Sequence, residues 1–282
     1  MGKVIATDLD GTLLYPKKRL RMISSKTLKF IRRFIDDGGK VVLVSGRNSA
    51  YLKKVQQKID RPCDMIGCNS SFIIADEKYI KRVFFNSVRL LEIIDDIERT
   101  YHPKTFFIMS EDNQFIMRDN FESILYSVAY KIWNFSEGVY REPFIVSKEK
   151  FLDKIQNGKV CKVMIFFGVG KKNVESSKQA NKGIFEKYGN ELESSWSGEF
   201  IELSPFDCSK SGGLKYYINY FKINHNDVYV VGDSGNDISM FKEFPDNSFC
   251  MKHSPLSVSK YAKHVIRRFS DLEKFIVCRK EK

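Results

Sequence analysis

The hydrophobic pattern at the start of the chain alternates between short apolar runs and amphipathic stretches. Residues 3–7, 41–44 and 65–68 are apolar runs, and the continuous run at 41–44 is typical of a strand covered on both faces. Between them, apolar residues recur at three- to four-residue spacing after Ser24 and after Asn48, which predicts two helices. This β-α-β-α-β order predicts parallel strands joined by right-handed crossovers.

The pattern changes in the middle of the chain, where strands come in hairpin-like pairs. The predicted helices and strands here cover residues 87–100, 105–109, 114–117, 122–133, 160–167, 173–188 and 196–203. Ser87 is the expected N-cap of the first of these helices. Aromatic side chains of this region, such as Phe106, Phe107 and Trp196, are interpreted mainly as its own core. A mixture of this kind is typical of a separate α+β domain.

The alternation of predicted strands and helices seen at the start returns towards the end of the chain. A helix beginning at Ser209, a buried-type strand at 228–231 and a helix from Asn236 are followed by short strands at 248–251 and 264–266. The pattern therefore predicts an α/β protein. Its Rossmann-like core with a parallel sheet would comprise residues 1–84 and 204–282, interrupted by an inserted α+β domain at 85–203.

Composition narrows the classes of protein that fit this pattern. The chain has 282 residues, of which 43% are hydrophobic and 29% charged, as in ordinary globular proteins. No apolar run approaches the roughly 20 residues that span a bilayer, and the apolar start ends too early for a signal peptide. We therefore expect a cytoplasmic protein with no membrane partner, either a monomer or a homodimer. The six cysteines form no C-x-x-C pair and are expected to be reduced, buried thiols.

The net charge of +12 raises the question of a polyanionic partner. The basic residues are scattered, and no basic stripe interleaved with aromatic residues is present, so a basic surface is favoured over nucleic-acid recognition. Nucleic-acid binding stays open as an alternative that rests on charge alone. A positive field would also attract small phosphorylated metabolites.

Two acid-rich turns follow predicted strands and carry the candidate chemistry. They are Thr7-Asp8-Leu9-Asp10-Gly11-Thr12 and Gly232-Asp233-Ser234-Gly235-Asn236-Asp237. Ligands of parallel α/β sheets bind beyond the carboxyl ends of the strands, so both turns fall where a site is expected. The structural alternative is that these aspartates only form turns or cap helices.

The spacing of the acids indicates a cation site. Asp8 and Asp10 would project to the same side of an extended chain, and their repulsion requires a proton or a bound cation. Asp233 could complete an oxygen-rich site, which suits Mg2+ better than a calcium cage. Asp237 can face the same way if a helix begins there. Gly11 would let main-chain N–H groups approach an anion closely.

Together these residues resemble the haloacid dehalogenase superfamily of phosphohydrolases. The four motifs of that family occur in order, as Asp8–Thr12, Ser45 within Val44–Arg47, Lys210 within Cys208–Gly212, and Gly232–Asp237. The insertion between the second and third motifs resembles the C2-type cap of the Cof-type, class IIB, sugar-phosphatase-like members. The resemblance thus implies a core of the superfamily type with an inserted cap domain.

The resemblance implies a role for each matching acid and for the lysine. Asp8 would be the nucleophile and a Mg2+ ligand. Asp10 would act as general acid and then general base, with its main-chain carbonyl also on the metal. Lys210 would neutralise phosphate charge and hold the nucleophile, although a solvated lysine is the structural alternative. Asp233 would be the remaining carboxylate ligand, and Asp237 would belong to the metal site as a supporting group.

Further residues are implied in phosphate or substrate binding. Ser45 would donate a hydrogen bond to the transferring phosphoryl group, and its structural alternative is to cap the following helix. Arg47 would bind substrate or pair with an acid. The other residues expected around the phosphate or substrate are Leu9, Gly11, Gly46, Asn69 and Asn236.

Three positions depart from the family pattern. Ser70 replaces the glycine of the usual Asn-Gly-Ala after the third strand, and Ser211 replaces the glycine after the lysine. His253-Ser254 stands where the family often has Asn-Ala. None of these changes removes a catalytic group, so they bear on substrate fit and not on the reaction.

The expected function is Mg2+-dependent hydrolysis of a small phosphorylated metabolite. A sugar phosphate is favoured by the resemblance, ahead of a phosphorylated cofactor. The alternatives are a phosphomutase of the same fold, which would return the phosphate to a sugar, and a non-catalytic protein that binds a phosphorylated ligand.

Overall fold

The computed structural model of the protein describes residues 2–16, 22–111, 113–136 and 143–276. The strands are β1 (Val4–Thr7), β2 (Lys40–Val44), β3 (Asp64–Gly67), β4 (Phe72–Ala75), β5 (Lys78–Arg82), β6 (Thr105–Met109), β7 (Gln114–Arg118), β8 (Phe144–Ser147), β9 (Lys162–Phe166), β10 (Leu192–Ser197), β11 (Phe200–Pro205), β12 (Val228–Gly232), β13 (Ser248–Met251) and β14 (His264–Ile266). The helices are α1 (Ser25–Asp36), α2 (Ser49–Ile59), α3 (Ser87–Tyr101), α4 (Phe121–Ser136), α5 (Lys148–Asn157), α6 (Lys171–Tyr188), α7 (Lys210–Phe221), α8 (Ile238–Glu243), α9 (Leu256–Ser259) and α10 (Glu273–Ile276).

An eight-stranded sheet contains the first and last parts of the chain, in the order β14-β13-β12-β1-β2-β3-β4-β5. The pairs from β14 to β3 are all parallel, which confirms the parallel sheet predicted from the alternating pattern. β1 and β12 are buried along their whole length, as expected for strands covered on both faces. The two acid-rich turns follow these two neighbouring strands, so they meet at one edge of the sheet.

The antiparallel end of this sheet does not follow from the sequence pattern. β4 returns antiparallel to β3, and a two-residue turn, Asp76 and Glu77, leads into β5. Both turn residues have positive φ, 47° and 64°. Asp-Glu lacks the glycine that usually marks such a turn in a sequence, so the hairpin cannot be recognised from its composition.

A six-stranded sheet contains the middle of the chain, in the order β10-β11-β9-β6-β7-β8. Its strands pair antiparallel except for β7 and β8, which are parallel. One core joins apolar residues of α3, α5 and α6 to those of the sheet, including Ile97, Phe106, Phe151, Ile165 and Ile184. This sheet with its helices has the α+β character predicted for the region.

Several local predictions for the middle region need correction. The N-cap of α3 is Asn86 and not Ser87, because the Asn86 side chain accepts the N–H of Arg89 at 3.0 Å. The pattern misses β8 and α5, since only Phe151 and Ile155 of α5 are buried and a period cannot be read from two positions. Phe106 lies in the predicted core, whereas Trp196 is 40% exposed.

The described residues form two compact units. One comprises Met1–Gly46, Leu52–Ile80 and Ser209–Lys282, and the other Arg47–Tyr51 and Lys81–Cys208, as far as the described residues go. The domain boundaries at 84/85 and 203/204 stay a prediction. None of the described helices is long and apolar enough to cross a membrane. The described cysteines, Cys63, Cys68, Cys161, Cys208 and Cys250, are buried thiols; Cys278 lies outside the described residues.

Candidate active site

Asp8 is fixed at the carboxyl end of the central strand β1. Its N–H donates to the carbonyl of Val231 at 2.9 Å, which extends the pairing between β1 and β12 by one residue. The chain then turns at once: the N–H of Leu13 donates to the Asp8 carbonyl at 3.3 Å. Leu9 and Leu13 are fully buried and anchor this turn. Any contact of Leu9 with an anion would therefore come from its main chain.

Gly11 and Thr12 lock the first acidic turn onto the second. Gly11 has a φ of +81°, and a Cβ built there would lie 2.3 Å from Oδ2 of Asp233. A side chain at position 11 would therefore be both conformationally strained and in collision with the acid. Thr12 Oγ1 donates to Asp233 Oδ1 at 2.9 Å. The glycine of the motif is thus needed for the close approach of the two turns.

Asp237 supports the second turn from inside. Its Oδ2 accepts the main-chain N–H groups of Asp233 at 2.9 Å and Ser234 at 3.0 Å, and its side chain is fully buried. Its Oδ1 accepts a hydrogen bond from Lys210 at 2.7 Å. The carboxylate is therefore occupied by its own turn and by the lysine.

Lys210 joins the acidic groups at the first turn of α7. Ser209 caps this helix, because its Oγ accepts the N–H of Gly212 at 3.1 Å. Lys210 Nζ lies 2.7 Å from Asp8 Oδ1 and 2.7 Å from Asp237 Oδ1, and the lysine side chain is only 2% exposed. The structural alternative of a solvated lysine is therefore wrong.

The buried charges shift one another's pKa values. Burial raises the pKa of Asp8 well above its ordinary value, Asp237 and Asp233 add to the rise, and Lys210 opposes it. Burial also raises the pKa of Asp233, with a further contribution from Asp237, while Thr12, Lys210 and His253 act in the opposite direction. For Lys210, burial favours the neutral form, but Asp237 and Asp8 outweigh it and the net pKa is raised.

The acidic side chains fit a divalent cation. Carboxylate oxygens of Asp8, Asp233 and Asp237 all lie within 4.8 Å of one another. Three carboxylates facing one lysine leave negative charge uncompensated, and oxygen donors of this kind suit Mg2+. Because Asp237 is already occupied, Asp8 and Asp233 are the side chains best placed as ligands. Asp10 is not in this group of described acids, and its expected contribution through the main-chain carbonyl stays a prediction.

Ser45 and Asn69 occupy the same edge of the sheet as Asp8. They follow the parallel strands β2 and β3, and the Asn69 N–H donates to the Ser45 carbonyl at 3.2 Å. Both are buried, with exposures of 2% and 7%. Ser45 does not cap α2: the side chain of Asn48 does so, by accepting the N–H of Tyr51 at 3.2 Å.

The remaining predicted residues are placed less distinctively. Gly46 follows Ser45 and is half-buried. The guanidinium carbon of Arg47 lies 4.9 Å from the centroid of the Tyr51 ring, a cation–π arrangement. Asn236 Oδ1 accepts the hydroxyl of Ser234 at 2.9 Å within the second turn. Their roles in binding phosphate or substrate stay predictions.

Ser70 shows what its departure from the family pattern costs. Its φ is +81°, a value that side chains rarely adopt, and it is fully buried with a hydroxyl that has no hydrogen-bond partner among the described residues. Helix α7 packs closely against Ser70 at Gly213, where a Cβ would lie 2.3 Å from the Cβ of Ser70. The turn after β3 therefore retains the backbone conformation of a glycine without the glycine.

Replacing Ser70 by glycine should stabilise the protein. The change removes the strain of a left-handed non-glycine residue, about 1–2 kcal/mol, together with an unsatisfied hydroxyl. Chemical denaturation should show a higher free energy of unfolding. Ser71→Gly is the matched control, because Ser71 is equally buried but has an ordinary φ of −62°, and it should lose stability. Equal effects of the two changes would contradict this explanation.

Thr12 and His253 are contacts that the sequence does not assign to the site. Thr12 belongs to the first motif without a role of its own, and His253 stands out only as a departure from the family pattern. His253 Nε2 lies 3.6 Å from Asp233 Oδ2. No spacing rule links positions 253 and 233, because two separate turns bring them together.

The chain is similar to known proteins over most of its length. The family model of the haloacid dehalogenase-like hydrolases matches residues 5–271. The 5-amino-6-(5-phospho-D-ribitylamino)uracil phosphatase YwtE of Bacillus subtilis is 26% identical over 264 residues, covering 85% of this chain and 84% of the relative. YbjI of Escherichia coli, which has the same enzyme name, is 21% identical over 263 residues, covering 93% of this chain and 89% of the relative.

Among solved structures, the HAD subclass IIB sugar phosphatase BT4131 superposes with a TM-score of 0.75 at 19% identity. The superposition covers 97% of this chain and 98% of that one. At this identity the likeness establishes the fold, and it confirms the predicted fold class.

Proposed function

The chain belongs to the haloacid dehalogenase-like hydrolases and is a phosphoric monoester hydrolase. We propose that it acts through a phospho-aspartyl intermediate on Asp8. The observation that carries the proposal is the contact of Lys210 Nζ with Asp8 Oδ1, 2.7 Å apart at the carboxyl end of β1. A buried lysine on a buried carboxylate holds the nucleophile in one orientation and leaves positive charge beside the incoming phosphate.

In the first step, an oxygen of Asp8 attacks phosphorus and the bond to the ester oxygen breaks. Asp10, protonated beforehand, gives its proton to the leaving alcohol. In the second step, Asp10 takes a proton from water, the water oxygen attacks phosphorus, and the bond to Asp8 breaks. Inorganic phosphate leaves, and both aspartates return to their starting states.

The charges around Asp8 must favour its ionised form for this chemistry. Burial raises its pKa, and Asp237 and Asp233 add to the rise, so Lys210 alone works against three opposing influences. Mg2+ bound by Asp8 and Asp233, with the main-chain carbonyl of Asp10, would supply the missing positive charge and neutralise phosphate oxygens. Ser45, at the end of the neighbouring strand, would donate a hydrogen bond from its hydroxyl to the phosphoryl group.

The proposed substrates are small metabolites with phosphate on a polyhydroxylated carbon chain, sugar phosphates above all. BT4131 is named a sugar phosphatase, and the substrate in the names of YwtE and YbjI carries its phosphate on a ribityl chain. In this proposal residues 1–84 and 204–282 perform the chemistry. The inserted cap domain, residues 85–203, selects the leaving group.

We expect the purified protein to release free phosphate from an aryl phosphate when Mg2+ is present and to stop when the metal is chelated. A panel of phosphorylated metabolites should give the highest kcat/KM values for sugar and polyol phosphates. Phosphate release, measured directly, separates hydrolysis from a mutase reaction, which moves the phosphate without freeing it. Turnover that is unchanged by chelation would contradict the metal requirement.

A further inference from the structure

The two faces of the six-stranded sheet carry different side chains. One face is apolar: residues such as Val163 and Ile165 of β9 lie in the core with α3, α5 and α6. Successive side chains of a strand point to opposite faces, so the residues between them belong to the second face. Helix α4 packs on one end of that second face, where the ring centroids of Tyr126 and Phe166 lie 5.1 Å apart.

The other end of the second face carries polar side chains that the strand register brings together. Met109 of β6 is the partner of Gln114 on β7 and of Lys162 on β9. Glu202 of β11 is paired with Met164, two residues along β9, and is therefore a diagonal neighbour of Lys162. We call Gln114, Lys162 and Glu202 the polar strip.

The polar strip is buried, although apolar side chains would suit the stability of the sheet better. Lys162 Nζ lies 2.9 Å from Glu202 Oε2, and the two side chains are 3% and 14% exposed. Gln114 is 4% exposed, and its Nε2 has no hydrogen-bond partner among the described residues. A buried ion pair is often no more stabilising than apolar residues of the same volume, and an unsatisfied buried amide costs free energy. A ligand therefore explains the strip better than the stability of the sheet does.

We propose that the polar strip recognises the hydroxyl groups of the substrate's leaving group. A hydroxyl both donates and accepts hydrogen bonds, and the strip offers N–H donors on Lys162 and Gln114 and a carboxylate acceptor on Glu202. This inference rests on the proposed function and deepens it by naming three specificity-determining residues.

The charges of the polar strip also specify the charge of the leaving group. Lys162 and Glu202 carry no net charge together, so an uncharged polyol is accommodated without a new unpaired charge. A leaving group with its own carboxylate or second phosphate would meet the Glu202 carboxylate, and juxtaposed like charges are unfavourable. The strip should therefore select phosphates of neutral polyols against those of sugar acids.

An ion pair on the helices of the opposite face provides a matched control. Lys148 Nζ of α5 lies 2.7 Å from Glu98 Oε1 of α3, and both helices pack on the apolar face of the sheet. Glu98→Gln thus neutralises a glutamate paired with a lysine, as Glu202→Gln does, but away from the polar strip.

Phosphate release from three substrates tests the proposal. In Gln114→Met, kcat/KM should fall about tenfold for ribitol phosphate, the order expected for one lost hydrogen bond, and much less for phenyl phosphate, whose leaving group has no further hydroxyl. In Glu202→Gln, the ratio of kcat/KM for phosphogluconate to that for ribitol phosphate should rise, because Lys162 loses its counter-charge. Glu98→Gln should leave all three values at those of the wild type.

Two results of these assays would overturn the proposal. One is an equal loss for ribitol phosphate and phenyl phosphate in Gln114→Met, and the other is an unchanged ratio in Glu202→Gln. Thermal unfolding should accompany the assays. Gln114→Met should unfold close to the wild-type temperature, because the amide that it removes is not satisfied in the folded protein.

Binding to the Asp8→Asn protein separates this inference from the proposed function. Calorimetry should give a dissociation constant for ribitol phosphate about tenfold higher when Gln114→Met is added, whereas that for inorganic phosphate should stay the same. Weakened binding of ribitol phosphate, together with no phosphate release by the wild type from any substrate, would refute the proposed function alone. Release from phenyl phosphate, together with undiminished binding of ribitol phosphate, would refute this inference alone.

Discussion

Asp8→Asn should abolish phosphate release while the fold remains intact. The amide cannot attack phosphorus, so kcat should fall by roughly 10^4–10^6, the range seen when hydrolases lose their nucleophile or an essential partner. The substitution keeps the shape of the side chain and an oxygen that can still accept from Lys210. Phosphate release should be measured beside circular dichroism and thermal unfolding.

The same substitution should change how stability depends on pH. Because burial raises the pKa of Asp8 in the folded state, its contribution to stability is fully present below the ordinary value of 3.8. It is lost as the pH rises through the folded pKa. Without divalent ions, raising the pH from 3.8 through the folded pKa of Asp8 should therefore lower the free energy of unfolding less in Asp8→Asn than in the wild type.

Asp246→Asn provides a matched control for both measurements. Asp246 is an exposed aspartate whose carboxylate pairs with Lys263 at 2.8 Å on the surface. Its replacement should leave phosphate release unchanged and stability nearly so. Phosphate release by Asp8→Asn comparable to that of the wild type would remove Asp8 as nucleophile.

The parts of the site that can be predicted from the sequence are those that a local pattern of residues determines. Asp8 and Asp233 follow continuous apolar strands, and parallel strands end at one edge of a sheet, so their convergence follows from the pattern. Lys210 can be assigned only through the resemblance. Its burial between two carboxylates comes from the packing of α7, which no local pattern specifies.

The missed features are those that depend on contacts between distant turns. The sequence predicts Asp237 as a supporting group of the metal site, but it does not show that this carboxylate accepts the N–H groups of Asp233 and Ser234. His253 reaches the site because Tyr15 and the turn after β13 hold its ring. Ser70 adopts a positive φ that usually requires glycine, so the residue type does not indicate the turn at this position.

Lys210→Met should cause a large loss of stability together with a loss of activity. The change leaves Asp8 and Asp237 buried without their shared cation, at 7% and 0% exposure. Breaking a buried ion pair on one side costs about 3–5 kcal/mol. Phosphate release should also fall well below that of the wild type, because the nucleophile Asp8 loses its positively charged neighbour. Denaturant titration and phosphate release measure the two effects.

Lys215→Met separates this effect from the loss of any lysine on the same helix. Lys215 is 52% exposed and pairs with Glu243 at 3.2 Å, so its replacement should change stability by no more than about 0.5 kcal/mol. The stability deficit of Lys210→Met should also shrink at low pH, where the buried carboxyl group of Asp8 becomes neutral, and grow as the pH rises.

A double substitution tests whether buried charge, and not lost packing, causes the deficit. Lys210→Met with Asp237→Asn removes one of the two uncompensated carboxylates while keeping an oxygen for the N–H groups of Asp233 and Ser234. Stability should recover in part, because one buried charge has gone, whereas activity should not, because Asp8 still lacks its lysine. A double variant that is less stable than Lys210→Met would show that Asp237 acts mainly through its own turn.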